Sequence, residues 1–130
     1  MPQQTDPDRR TVLVADDEPY IGRIIQLKLE DGPYRVLLAH DGREALDLLR
    51  TDQPFDLVLL DIMMPHMSGL EVLRALRELP HRGDTPVIML TAKGQEADRE
   101  NAKRYGATDF LTKPFSPKKL LARIDQLFRE

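Results

Sequence analysis

Five short runs of apolar residues punctuate the chain, each bounded by turn-forming residues. Residues 11–15, 34–39, 57–60, 86–90 and 108–112 are too short to stand as helices. Their branched and aromatic content predicts strands, most of them buried on both faces. Between them, apolar residues recur at helical spacing. Ile21, Ile24, Ile25 and Leu29 form one stripe, and Ala45, Leu48 and Leu49 a second. Leu70, Leu73, Leu76 and Leu79 form a third, and Leu120, Leu121, Ile124 and Leu127 the last. Pro19 and Pro117 suit first helical turns, and Asp41 suits an N-cap. Ser68-Gly69-Leu70-Glu71 has the spacing of a capping box. Residues 95–105 predict a further helix, so polar that its packing should be weak. Strands alternating with helices predict an α/β fold. The sheet is parallel, with helices on both faces and right-handed crossovers.

Composition narrows the class. With 130 residues, 41% hydrophobic and 32% charged, the chain fits one globular domain with a core of its own. No cysteine is present, which excludes disulfides and thiolate metal sites. A net charge of -3 argues against nucleic-acid binding driven by charge. No apolar run approaches the length of a membrane span. Residues 1–8 are polar and proline-rich, lack a signal-peptide core, and read as a flexible arm ahead of a domain over 9–130.

Candidate chemistry gathers where strands end. A parallel sheet opens all its C-terminal strand ends onto one edge, where open α/β sheets hold their ligands. Asp16 and Asp17 follow the first strand, Asp61 closes the third, Thr91 follows the fourth and Lys113 the fifth. Singly, each reads as a turn, cap or surface residue. Together they put three carboxylates, a hydroxyl and an ammonium on one edge. Two carboxylates about 4 Å apart repel by roughly 4 kcal/mol at an effective dielectric of 20, and a divalent cation relieves that repulsion. Oxygen ligands without His or Cys favour magnesium, which shares its coordination readily with phosphate. A carboxylate can also be the nucleophile in phosphoryl transfer.

These motifs resemble the receiver domain of the two-component response-regulator family over roughly residues 10–129. The matching pieces are Asp16-Asp17, Asp61 in Asp-Ile-Met-Met-Pro-His-Met-Ser-Gly, Thr91-Ala92, and Lys113-Pro114-Phe115. The resemblance implies a flavodoxin-like, three-layer fold with five strands in the order 2-1-3-4-5 and five helices. It implies Asp61 as acceptor of a phosphoryl group from a sensor histidine kinase or histidine phosphotransfer protein. It assigns Mg2+ (or Mn2+) to Asp17, Asp61 and the backbone carbonyl of Met63, with Asp16 acting mainly through water. Lys113, Thr91 and the N–H of Ala92 would hold the phosphoryl oxygens. The Lys113-Pro114 bond would be cis. Thr91 and Phe110 would form the switch, Phe110 standing where the family often has tyrosine. The responding face would be the fourth helix, fifth strand and fifth helix, for a downstream protein, an output domain or a second copy. The family setting is cytoplasmic.

The remaining features are weaker. Met63 and Lys93 occupy positions that tune phosphate lifetime in the family. Met64 and Met67 suit packing. His40, His66 and His81 have no histidine partner at ligand spacing and read as surface residues. Tyr20, Ile24 and Leu27 suit a kinase-docking patch or simple partial exposure. Two other classes stay open. A haloacid-dehalogenase-type phosphatase wants an acid two positions after its nucleophile, where this chain has Met63. A binding module remains, either a flavin carrier or a degenerate receiver. A flavin carrier would want a Ser/Thr/Gly-rich loop where Asp16-Asp17-Glu18 stands, and a degenerate receiver would lack a site group.

Overall fold

A computed structural model describes residues 9–92 and 94–129. Five strands, β1 (Arg10–Ala15), β2 (Tyr34–Ala39), β3 (Leu57–Asp61), β4 (Val87–Thr91) and β5 (Asp109–Thr112), form one parallel sheet in the order β2-β1-β3-β4-β5. They alternate with α1 (Pro19–Glu30), α2 (Gly42–Leu49), α3 (Gly69–Glu78), α4 (Glu96–Arg104) and α5 (Pro117–Phe128). This is the flavodoxin-like order, whose switch point lies between β1 and β3. Residues 1–8, read as an arm, and Lys93 lie outside the described residues.

Strand alternation builds two cores. Leu13, Val58, Leu60 and Met89 face α2, α3 and α4, joined there by Leu49, Leu73 and Leu76. Val14, Leu57, Leu59 and Leu90 face the other way and pack with Ile25 and Leu29 of α1 and Leu120 and Ile124 of α5. Successive strand residues point to opposite faces, so a strand buried on both sides reads as an unbroken apolar run. The central strands β3 and β4 are buried throughout.

The helix ends follow the sequence signals. Asp41 accepts from the Glu44 N–H at 2.8 Å. Ser68 and Glu71 complete the capping box of α3. Ser116 accepts from the Lys119 N–H at 3.0 Å, with Pro117 opening α5. Helix α4 buries only Ala102 among its residues, as its polar composition predicts. Its polar first residue, Gln95, lies just outside the helix.

Candidate functional site

β1, β3, β4 and β5 end at one edge, and Asp16, Asp61 and Lys113, at the ends of β1, β3 and β5, meet there in a polar pocket. β1 is continued by one more backbone bond, from the Asp16 N–H to the Ala39 carbonyl at 3.2 Å. That extension leaves the Asp16 side chain buried. Glu18 then donates its N–H to Asp16 Oδ1 at 2.9 Å, which turns the chain over the pocket. Asp61 ends β3 and is also buried. Gly69 of α3 makes the approach of the next helix possible. A Cβ there would stand 2.2 Å from the Asp61 carbonyl oxygen.

Lys113 ties the pocket together. Its Nζ donates to Asp16 Oδ2 at 2.8 Å, to Asp61 Oδ2 at 3.0 Å and to Glu18 Oε1 at 3.3 Å. Its backbone N–H bonds the Thr91 carbonyl, and the Lys113-Pro114 peptide is cis. Burial alone would lower the Lys113 ammonium. Hydrogen bonds to Asp16 and Asp61 outweigh it and hold the pKa above the ordinary lysine value. Asp61 moves the other way for an acid in an ion pair. Burial, followed by the charge of Asp16, pushes it up to about 6, against the pull of Lys113. One ammonium is thus shared among three carboxylates.

Carboxylate oxygens of Asp16, Glu18 and Asp61 lie within 4.8 Å of one another. Sequence reasoning expected Asp17 as the third member. Asp17 is exposed and outside this group, whereas Asp16 is buried and Glu18, itself exposed, reaches the group through Lys113. Glu18 is an addition to the residues expected from the sequence. The donors are all oxygen, which fits a hard divalent cation such as Mg2+ and does not fit zinc. Met63 is exposed, with its N–H 3.3 Å from Asp61 Oδ1.

Thr91 is buried at the end of β4, and its hydroxyl donates to Thr112 Oγ1 at 3.5 Å. The Ala92 N–H donates to Gln95 Oε1 at 2.6 Å. Phe110 is half-buried against the α2-α3-α4 core, with the Arg99 guanidinium 5.0 Å above its ring. Met64 and Met67 pack against that same core. His40, His66 and His81 are exposed, and none is in the carboxylate group; His40 lies 3.2 Å from Glu44.

The model of the response regulator receiver domain matches residues 12–125. The chain belongs to the receiver domain family. As a receiver it is 46% identical over 118 residues to the transcriptional regulatory protein CpxR of Escherichia coli, covering 91% of this chain and 49% of CpxR. It thus spans about half the length of such curated relatives. Among solved structures, the chemotaxis response regulator CheY4 of Vibrio cholerae superposes with a TM-score of 0.85 at 36% identity, covering 91% of this chain and 98% of that one. The BeF3-activated receiver domain of DrrB, from Thermotoga maritima, gives 0.81 at 33% identity, covering 94% and 99%. No helix among the described residues is long and apolar enough to cross a membrane.

Proposed function

We propose that this receiver works as a phosphorylation switch with Asp61 as its acceptor. A carboxylate oxygen of Asp61 attacks the phosphorus of a phosphohistidine on a sensor kinase or phosphotransfer protein. The P–N bond breaks, the imidazole leaves and takes up a proton, and an acyl phosphate remains on Asp61. Water later cleaves that anhydride and restores the carboxylate. The chain therefore modifies itself and does not turn over free substrate. The observation that carries the reading is the buried, net-negative pocket at the switch point, with Asp61 at its centre and Lys113 already bonded to it.

Asp17, Asp61 and the Met63 carbonyl, with Asp16 through water, would hold Mg2+ (or Mn2+), which supplies neutralisation of charge at the phosphoryl oxygens. Asp17 is exposed and free to turn inward, whereas Glu18 is engaged by Lys113. Lys113 pairs with the added negative charge, and Thr91 and the Ala92 N–H supply hydrogen bonds. The Thr91 hydroxyl leaves Thr112 and turns to the phosphoryl group, and Phe110 moves into the space vacated. Helix α4, with one buried residue, is the helix held by the smallest core contact and the most readily repositioned. The α4-β5-α5 face then binds a downstream protein, an output domain or a second copy. The relatives' roles in transcription support a regulator of gene expression in the cytoplasm. Exposed Tyr20, Ile24 and Leu27 on α1, beside the groove lined by Pro114 and Phe115, suit the kinase.

Incubation with Mg2+ and acetyl phosphate, read by intact mass, tests the reading. Wild type should gain one phosphoryl group, and Asp61→Asn should gain none. An adduct that persists in Asp61→Asn would assign the acceptor elsewhere. Phe110→Ala tests the switch separately. It should take the phosphoryl group yet lose phosphorylation-dependent self-association or partner binding. Partner binding that survives unchanged would remove the aromatic from the switch.

A further inference from the structure

We infer that Gln95 is a positioning residue that competes for the phosphoryl-binding N–H of Ala92 and couples its release to the start of α4; this rests on the phosphoacceptor reading above. Gln95 Oε1 accepts from the Ala92 N–H at 2.6 Å, and the Gln95 N–H returns to the Ala92 carbonyl at 3.3 Å. The two residues close a turn that contains Gly94 at φ +87°. That N–H is the donor assigned above to a phosphoryl oxygen. An N–H bonds one strong acceptor well, so the amide oxygen and a phosphoryl oxygen exclude each other there.

The contact is not needed to satisfy a buried group. Ala92 is exposed, so water can reach its N–H once the amide oxygen leaves. Nor does the Gln95 side chain cap the helix it precedes. Gln95 is the N-cap residue of α4, yet its side chain makes no capping bond and reaches back three residues instead. Phosphorylation would displace the amide oxygen, free the Gln95 side chain and loosen the turn that sets the N-terminus of α4. The acceptor site and the movable helix are thereby joined through one side chain.

Two substitutions of opposite sign test this in the full chain. Gln95→Met keeps the shape of the side chain and removes the amide oxygen. Gln95→Glu replaces it with a stronger, charged acceptor. BeF3−, with saturating Mg2+, is the phosphoryl probe, and affinities are read by NMR titration. Gln95→Met should bind BeF3− about two- to tenfold more tightly than wild type, the range a net hydrogen bond spans. Gln95→Glu should bind it more weakly. Affinity for Mg2+ alone should stay unchanged in Gln95→Met. In the protein without BeF3−, the Ala92 amide should exchange with solvent faster in Gln95→Met than in wild type. With BeF3− bound, the two should be equally protected. Equal BeF3− affinity in wild type and Gln95→Met, or equal Ala92 exchange without the probe, would overturn this inference alone. Absence of BeF3− binding by wild type would overturn the phosphoacceptor reading and this inference with it.

Discussion

At the scale of the residue, Asp61 is an acid whose ionisation the fold opposes. Burial first and Asp16 second raise its pKa from 3.8 to about 6, although Lys113 stands 3.0 Å away. The folded protein thus binds more protons at this site than the unfolded chain does between about pH 4 and pH 6. Stability contributed by the protonated form is complete below pH 3.8 and is lost as pH rises through about 6. The full cost of the ionised form is about 3 kcal/mol. Denaturant titrations without metal should find Asp61→Asn more stable than wild type at pH 7 by up to that amount. The difference should vanish near pH 4; a difference independent of pH would contradict the shift. Divalent cation competes with the proton, so Mg2+ affinity of wild type should fall as pH drops below 6. Asp17 and Glu18 separate two versions of the pocket. Asp17→Asn should weaken Mg2+ binding by about tenfold or more, equal to 1.4 kcal/mol, and Glu18→Gln by less. The reverse order, measured by calorimetric titration, would make Glu18 the ligand and Asp17 a bystander. The neighbours Asp16, Asp61 and Lys113 were legible because each stands at the end of a strand that the apolar pattern delimits. Glu18 was hidden in a run of three acids, since only the fold after β1 shows which of them bond Lys113.

At the scale of the element, the pocket depends on how closely its helices and loops approach. Gly69 lets the first turn of α3 rest on the end of β3. Gly69→Ala would drive a Cβ into the Asp61 carbonyl oxygen, so the helix must move. It should cost about 1–3 kcal/mol of stability and also weaken Mg2+ binding, through displacement of Asp61. A loss of stability with unaltered Mg2+ affinity would show that the helix yields and the acid does not. The opposite edge of the sheet holds a contact that the sequence conceals. Arg82, in what reads as a polar loop, is buried against the end of α2. It donates to the carbonyls of Leu49, Thr51 and Gln53 at 2.6–2.9 Å and stacks over Phe55 at 5.0 Å. The cation meets carbonyls at the negative end of a helix, so its planar fork matters as much as its charge. Arg82→Lys should therefore destabilise the protein by about 2 kcal/mol in thermal unfolding, and Arg82→Ala by more. Full rescue by lysine would reduce the interaction to charge alone. Apolar periodicity carries no trace of this contact, because its partners are backbone atoms some thirty residues earlier in the chain.

At the scale of the molecule, a two-sided sheet makes the order of elements readable and brings its strand ends together. Buried strands appear as continuous apolar runs, and α1, α2, α3 and α5 as stripes. The sheet order itself came through resemblance, because the apolar pattern gives the number of strands but not their neighbours. Local polar links such as Ala92 to Gln95, and Thr91 to Thr112, stayed invisible, since they depend on backbone turns and side-chain directions. The whole arrangement surrounds one ammonium with more carboxylates than it can neutralise. The account requires that a divalent cation relieve that excess at Asp61, and the melting temperature against Mg2+ concentration at pH 7.5 measures this most directly. Wild type should melt progressively higher as Mg2+ rises, gaining about 2.7 kcal/mol at a hundred times the dissociation constant, while Asp61→Asn should respond little. A wild-type melting temperature indifferent to millimolar Mg2+, or an equal rise in Asp61→Asn, would contradict it.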